Sequence, residues 1–191
     1  MKSISKGFQT MRELFWKMIA GALAATPMIR NLLVRLAKRT PYTPILGSDG
    51  SLYMERFWLI KERSWLPFAM RIHVIHRPDA DRHPHDHPWD FRTLILDGFY
   101  EEELLDIKKR PMGWKQRARA AAAVVMTSVL RAGDTATRNR GQYHRITRVP
   151  SPVTTLVICS RRHSSWGFLV GGRHVPWRDY DSYLKFLKER S

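Results

Sequence analysis

From Leu46 onward the chain is cut into short apolar runs separated by turn residues, a pattern that long helices cannot satisfy. Asp49-Gly50 is a turn signal, and Ser51 to Ile60 (SLYMERFWLI) is rich in aromatic and large apolar side chains. Pro67 to His76 alternates, with Ala69, Arg71, His73 and Ile75 on one face and Phe68, Met70, Ile72 and Val74 on the other. Phe91 to Leu105 reads as a long strand or as a hairpin turning at Asp97-Gly98. Val153 to Ser160 (VTTLVICS) is the β-branched run of a sheet interior. Ser165 to Val170 and His174 to Trp177 flank the Gly171-Gly172 turn, and Tyr180 to Glu189 reads as a closing helix. Evenly spaced short strands predict a mainly β fold, an antiparallel sandwich or barrel. Lys115 to Met126 (KQRARAAAAVVM) fits a strand, a helical insertion or a basic loop equally well.

The first forty residues differ. Phe8, Met11, Leu14, Phe15, Met18, Ile19, Ala22 and Leu23 recur at the spacing of one helix face, and Pro27 breaks or restarts the helix. Met28, Ile29, Leu32, Leu33 and Leu36 continue on a second short helix ending near Thr40-Pro41. This divides the chain into a basic amphipathic helical extension over residues 1–41 and a β domain over 42–191. The helices carry Lys2, Lys6, Arg12, Lys17, Arg30, Arg35, Lys38 and Arg39 against Glu13 alone. Their apolar face is expected to pack on the β domain or on a sister subunit. A basic helix of this kind also suits an anionic partner, a membrane surface or nucleic acid.

With 33 Lys and Arg against 17 Asp and Glu, the net charge is +16, a field that favours anionic partners without specifying a reaction. One cysteine, Cys159, excludes an intramolecular disulfide framework and a four-cysteine zinc site. The longest apolar stretch, Met18 to Ala25, is far shorter than the roughly 20 residues of a spanning helix. Arg12, Glu13 and Lys17 interrupt the region where a secretory signal would need an uncharged core, so a cytoplasmic protein is expected. Neither a nucleophile elbow nor a phosphate-cradling glycine loop is present.

Asp79 to Asp90 reads DADRHPHDHPWD, placing His83, His85 and His87 at alternate positions. In extended chain His85 and His87 share a face while Asp86 points away, and Pro84 and Pro88 restrain the backbone around them. Two imidazoles need a third ligand, and His144, after a glycine turn and at the head of another strand, is the best candidate. Asp81, Asp86 and Asp90 are near enough in sequence to orient the rings. The competing reading is a His-Asp-rich surface loop without metal. Arg92, Tyr100 and Tyr143 are candidate substrate-binding residues, Arg92 as a partner for a carboxylate or phosphate. Trp89, Trp166 and Phe168 read as core aromatics, His73, His76, His163 and His174 as structural histidines, and Cys159 as a small buried side chain.

The H-x-H pair at His85 and His87, the strand ending at Gly98, Gly133-Asp134 and the lone His144 resemble the two motifs of the cupin superfamily. That resemblance implies a jelly-roll β-sandwich. Its first motif has a glutamate separated from the glycine by six residues, and Phe91 stands there instead. What remains is similar to the three-histidine site of cysteine-dioxygenase-like cupins. The phrases YMERFWLI, DRHPHDHPW, HRI, WGF and VPWRD look like a group of uncharacterised cupin-like proteins of bacteria and their phages, over roughly Leu46 to Tyr180. In that group's pattern the position of His83 is not a ligand, which favours His85, His87 and His144. The resemblance implies a metal-binding protein, a non-haem iron oxygenase acting on a small molecule, and a homodimer. With Fe(II), three protein ligands leave about three positions open for substrate and dioxygen; with zinc, the alternative, the same ligands plus one water suit hydrolysis. A non-catalytic binding or assembly protein docking through its basic helices is the other reading.

Overall fold

A computed structural model describes residues 2–40, 44–47, 50–79, 83–106 and 124–190. Helices α1 (Lys2–Ala25) and α2 (Pro27–Ala37) lead into strands β1 (Ile45–Leu46), β2 (Leu52–Ile60), β3 (Phe68–Ile75), β4 (Phe91–Asp97) and β5 (Phe99–Asp106). Strands β6 (Val124–Arg131), β7 (Thr135–Arg138), β8 (Tyr143–Arg148), β9 (Val153–Ser160), β10 (Gly167–Val170) and β11 (Arg173–Pro176) follow, and α3 (Tyr180–Lys188) closes the chain. One sheet runs β1-β2-β3-β9-β4-β7, and β6-β5-β8 faces it with the β10-β11 hairpin. All pairings are antiparallel. The mainly β sandwich expected from the strand spacing is therefore present, with both the N-terminal helices and the C-terminal helix.

The β-branched run of β9 lies between β3 and β4, pairing Leu156 with Ile72 on one side and Leu94 on the other. Alternation along these strands makes two different surfaces. Phe57, Ile72, Leu94, Leu96 and Leu156 face outward beneath the helices, joined by Ala20 and Ala37 and flanked by Trp16, Ile19, Leu33 and Val34. Leu94 and Leu96 are fully buried, each contributing about 1.5–3 kcal/mol by removal from water. The helical extension thus shares a core with the β domain. Residues Ile75, Ile95, Tyr100, Leu130, Ile146 and Val153 fill one part of the space between the sheets.

The β4–β5 turn is a single residue, Gly98, at φ +75°, where a Cβ would stand 3.1 Å from the Pro152 carbonyl oxygen. Both the positive φ and that approach demand glycine. Pro27 occupies the first turn of α2, and the two helices bend by 91° there. Most of Lys115 to Met126 falls outside the described residues; its last three, from Val124, begin β6. Strands β6 and β7 had no clear signal, since Val124–Arg131 follows an alanine run and Thr135–Arg138 (TATR) is short and polar.

Candidate metal centre

The segment from Pro84 to Asp86 completes the second sheet. His85 and His144 exchange main-chain hydrogen bonds of 2.9 Å in both directions. On the other side Leu169 N donates to the Pro84 carbonyl at 2.8 Å, and Asp86 N donates to the Gly167 carbonyl at 3.1 Å. The Asp86 carboxylate accepts the Gly167 N–H at 2.7 Å. Gly167 is required here, because a Cβ would collide with the Val175 carbonyl oxygen. This short stretch therefore bolts one histidine beside another from far along the chain.

The structure brings His85, His87 and His144 together, with one nitrogen from each within 4.8 Å of the others. His87 Nε2 and His144 Nε2 are 2.8 Å apart. His144 Nδ1 lies 3.2 Å from Glu102 Oε2. A carboxylate oxygen accepts, so His144 Nδ1 carries the proton and its Nε2 presents a lone pair inward. His85 Nδ1 stands 3.4 Å from Asp79 Oδ2, which is likewise buried. Burial drives the His144 imidazole down to about 3, aided by Arg138. Burial and the neighbouring histidines hold His87 well below the ordinary histidine range. Neutral imidazoles are the form that ligates metal, and donors around one zinc at about 2.0–2.1 Å stand roughly 3.3 Å apart in a tetrahedral arrangement. The donor set fits a divalent transition metal.

The carboxylates that orient the rings are not those nearest in sequence. Asp90 accepts the Arg140 N–H at 2.7 Å, Asp86 is engaged by Gly167, and Asp81 lies outside the described residues. Asp79 and Glu102 do the work instead. Glu102 is 1% exposed, accepts from Ser128 Oγ at 3.2 Å and is bonded by the Arg138 guanidinium. Sequence reasoning missed it. Its signal was alternation, since Tyr100, Glu102 and Leu104 share one face of β5 and two of the three are apolar. His83 pairs with the Tyr180 hydroxyl at 2.8 Å, outside the three-histidine group.

A cavity of about 780 Å³ opens from the three histidines between the sheets. Tyr100 lines it, and burial pushes the phenol up to about 12. Arg92 and Tyr143 do not line it. Arg92 is on the helix-facing side of β4, where its guanidinium grips both Glu13 oxygens at 2.9 and 2.7 Å and holds that carboxyl below the usual range. Tyr143 is one residue from His144, so strand alternation turns it to the far face, where its hydroxyl is 2.6 Å from His174 Nδ1. Trp89, Trp166 and Phe168 form cavity wall, as does His73, which had read as structural. Cys159 is buried, and burial raises its thiol to about 11, so it stays protonated.

This architecture, a two-sheet antiparallel sandwich with a three-histidine cluster inside, is cupin-like. Among solved structures it is similar to the DMSP lyase DddQ from Ruegeria pomeroyi DSS-3, with a TM-score of 0.51, 16% identity and coverage of 78% of this chain and 75% of that one. It is also similar to Fe(II)-HppE with the alternative substrate (S)-1-HPP (TM-score 0.47, 11% identity, 64% of this chain and 57% of that one). A mutant of the Bacillus subtilis oxalate decarboxylase OxdC aligns at TM-score 0.47 and 14% identity, over 70% of this chain and 31% of that one. The chain spans little more than half of HppE and under a third of the decarboxylase. At such identities the likeness concerns the fold alone. No protein-family model matches the sequence, and no curated protein does.

Proposed function

We propose that this chain is a metal-dependent cupin enzyme, a non-haem iron oxygenase acting on a small molecule bound in the cavity. The observation that supports it is the set of three imidazoles, two of whose outer nitrogens face buried carboxylates, at the wall of a cavity large enough for a substrate. His85, His87 and His144 would hold the ion, and Fe(II) would supply redox and Lewis-acid chemistry there, with zinc the alternative. Asp79 and Glu102 fix which nitrogen of the His85 and His144 rings keeps its proton. Tyr100 retains its hydroxyl proton at neutral pH and serves as a hydrogen-bond donor in the cavity, not as a base.

Protein purified without chelator or affinity tag is expected to carry near-stoichiometric metal by elemental analysis. His85→Ala should lose it while keeping the fold by circular dichroism. Oxygen consumption with a panel of thiols, amino acids and oxo-acids then separates oxygen chemistry from hydrolysis. Absence of metal from the parent protein would remove this reading.

The helices support a second function for the same chain, docking on an anionic membrane surface. No single helix among the described residues is long and apolar enough to cross a membrane. While one side of α1 and α2 packs on the sheet, the other exposes Met11, Phe15, Met18, Met28, Ile29 and Leu32, with Met18 74% and Met28 84% exposed. Arg12, Lys17 and Arg35 on these helices, and Arg39 just beyond them, are exposed too. A second copy of this chain would bring like charges together on that face, whereas acidic lipid headgroups neutralise them. The protein should co-sediment with vesicles containing phosphatidylglycerol, and Met18→Glu with Met28→Glu should abolish it at low salt. Equal retention on purely zwitterionic vesicles, or none on either, would contradict the lipid assignment.

A further inference from the structure

Three polar side chains on the cavity wall, Arg71, His73 and Thr155, each keep one buried atom to which no protein group is hydrogen-bonded. Arg71 is 8% exposed, and its guanidinium lies between two indoles, 4.2 Å from the Trp58 ring and 4.4 Å from the Trp89 ring. Stacking uses the π face of the guanidinium and leaves its N–H edges in the plane. Arg71 Nε has no hydrogen-bond partner, and no ion pair joins Arg71 or Arg56 to a carboxylate among the described residues.

Cross-strand register adds two more groups. Arg56 on β2 is opposite His73 on β3, and His73 is opposite Thr155 on β9. All four side chains line the same cavity. His73 Nε2 and Thr155 Oγ1 are buried without a partner, Thr155 being 1% exposed. These atoms face the cavity with hydrogen-bonding capacity that no protein group takes up, so a row of them on its wall can be met by an acceptor that a ligand brings. The charge of the wall sets the sign of that acceptor. Arg56, Arg71 and Arg162 face two carboxylates, of which Asp79 sits beside His85 and Glu62 is exposed at the rim, accepting the Arg162 N–H at 3.3 Å. Trp89 stacks against His87 and also lies against the Arg71 guanidinium, so one indole contacts both Arg71 and the histidine cluster.

We propose that the cavity is a receptor for the carboxylate of a small organic acid, held by Arg56 and Arg71 with His73 and Thr155 beside them. This names the substrate class of the proposed enzyme and rests on reading the cavity as its substrate site. It does not rest on the metal. A carboxylate has two acceptor oxygens in a plane, which match the forked edges of a guanidinium. The remainder of the molecule would extend past Trp89 toward His85, His87 and His144.

The test is isothermal titration with malonate, malonamide and inorganic phosphate on EDTA-stripped and metal-loaded protein. Malonate should bind both forms saturably at one site, while malonamide should not. Arg71→Met and Arg56→Gln should each weaken malonate by about tenfold or more. Thr155→Val supplies a signature that a structural role cannot mimic. Deleting an unpaired buried hydroxyl should leave the melting temperature unchanged or raised, yet weaken malonate severalfold. Should Arg71→Met fail to fold, Arg56→Gln and Thr155→Val carry the decision. Equal affinity for malonate and malonamide would overturn the proposal, as would phosphate binding in place of malonate or malonate affinity unaffected by the variants. Malonate binding to stripped protein that takes up no metal would leave this inference standing and sink the metal reading, whereas metal uptake without malonate binding would do the reverse.

Discussion

Glu102→Ala should destabilise the protein by about 3–5 kcal/mol, because it leaves the Arg138 guanidinium buried without its counter-charge. Against a total stability of about 5–15 kcal/mol, that is a large fraction. The same carboxylate holds the Nδ1 proton of His144, so its loss frees the ring to rotate and to change tautomer. Metal affinity should fall by about 10–100-fold for that reason. Glu102→Gln separates the two effects: it retains the volume and an acceptor for His144 but removes the charge facing Arg138. Urea unfolding of stripped protein reads the first effect and equilibrium dialysis of the metal reads the second. A Glu102→Ala protein with parental stability and metal affinity would show that this carboxylate is a bystander.

Acid should unfold the stripped protein well before its carboxylates are neutralised. His73, His87 and His144 are all held below the ordinary histidine value of 6.5, mainly by burial, with His144 at about 3. Unfolding returns them to about 6.5, so below that pH the unfolded chain binds more protons than the folded one. Stability is therefore full above about pH 6.5 and declines as pH falls toward the folded-state values, by up to about 1.4 kcal/mol per pH unit for each site. Asp86 acts in the opposite sense, since burial raises its carboxyl above 3.8 and its contribution grows as pH falls. Three histidines outweigh one carboxyl. Urea midpoints measured from pH 7.5 to pH 5 should drop steeply, and His73→Gln, which leaves the three clustered histidines intact, should flatten the slope by roughly a third. A midpoint independent of pH across that range would contradict the burial of neutral imidazoles.

Much of the fold was legible because its strands obey a period of two. Val153–Ser160 and Phe68–Ile75 alternate or run apolar as central strands must, and Gly98 marks a turn that only glycine makes. The pairing of His85 and His87 on one face followed from the same period, and His144 from its place at a strand head. What sequence could not supply was the direction of each side chain across a sheet. Arg92 and Tyr143 have the right chemistry for a pocket, yet each faces the wrong layer. Glu102 lies 42 residues from the ring it orients, too far for spacing to reveal it, and nothing in the sequence sets Asp79 apart from Asp81, Asp86 and Asp90 around the same histidines. Arg71 and His73 looked like ordinary residues of an alternating strand until their face proved to be a cavity wall and not a packed core.

The central claim is that His85, His87 and His144 ligate one metal ion. X-ray absorption at the edge of the metal retained by the purified protein measures this most directly. Three imidazole nitrogens in the first shell, falling to two or to no bound metal in His144→Ala, is the predicted result. A first shell without imidazole, or a spectrum unchanged by His144→Ala, would contradict it.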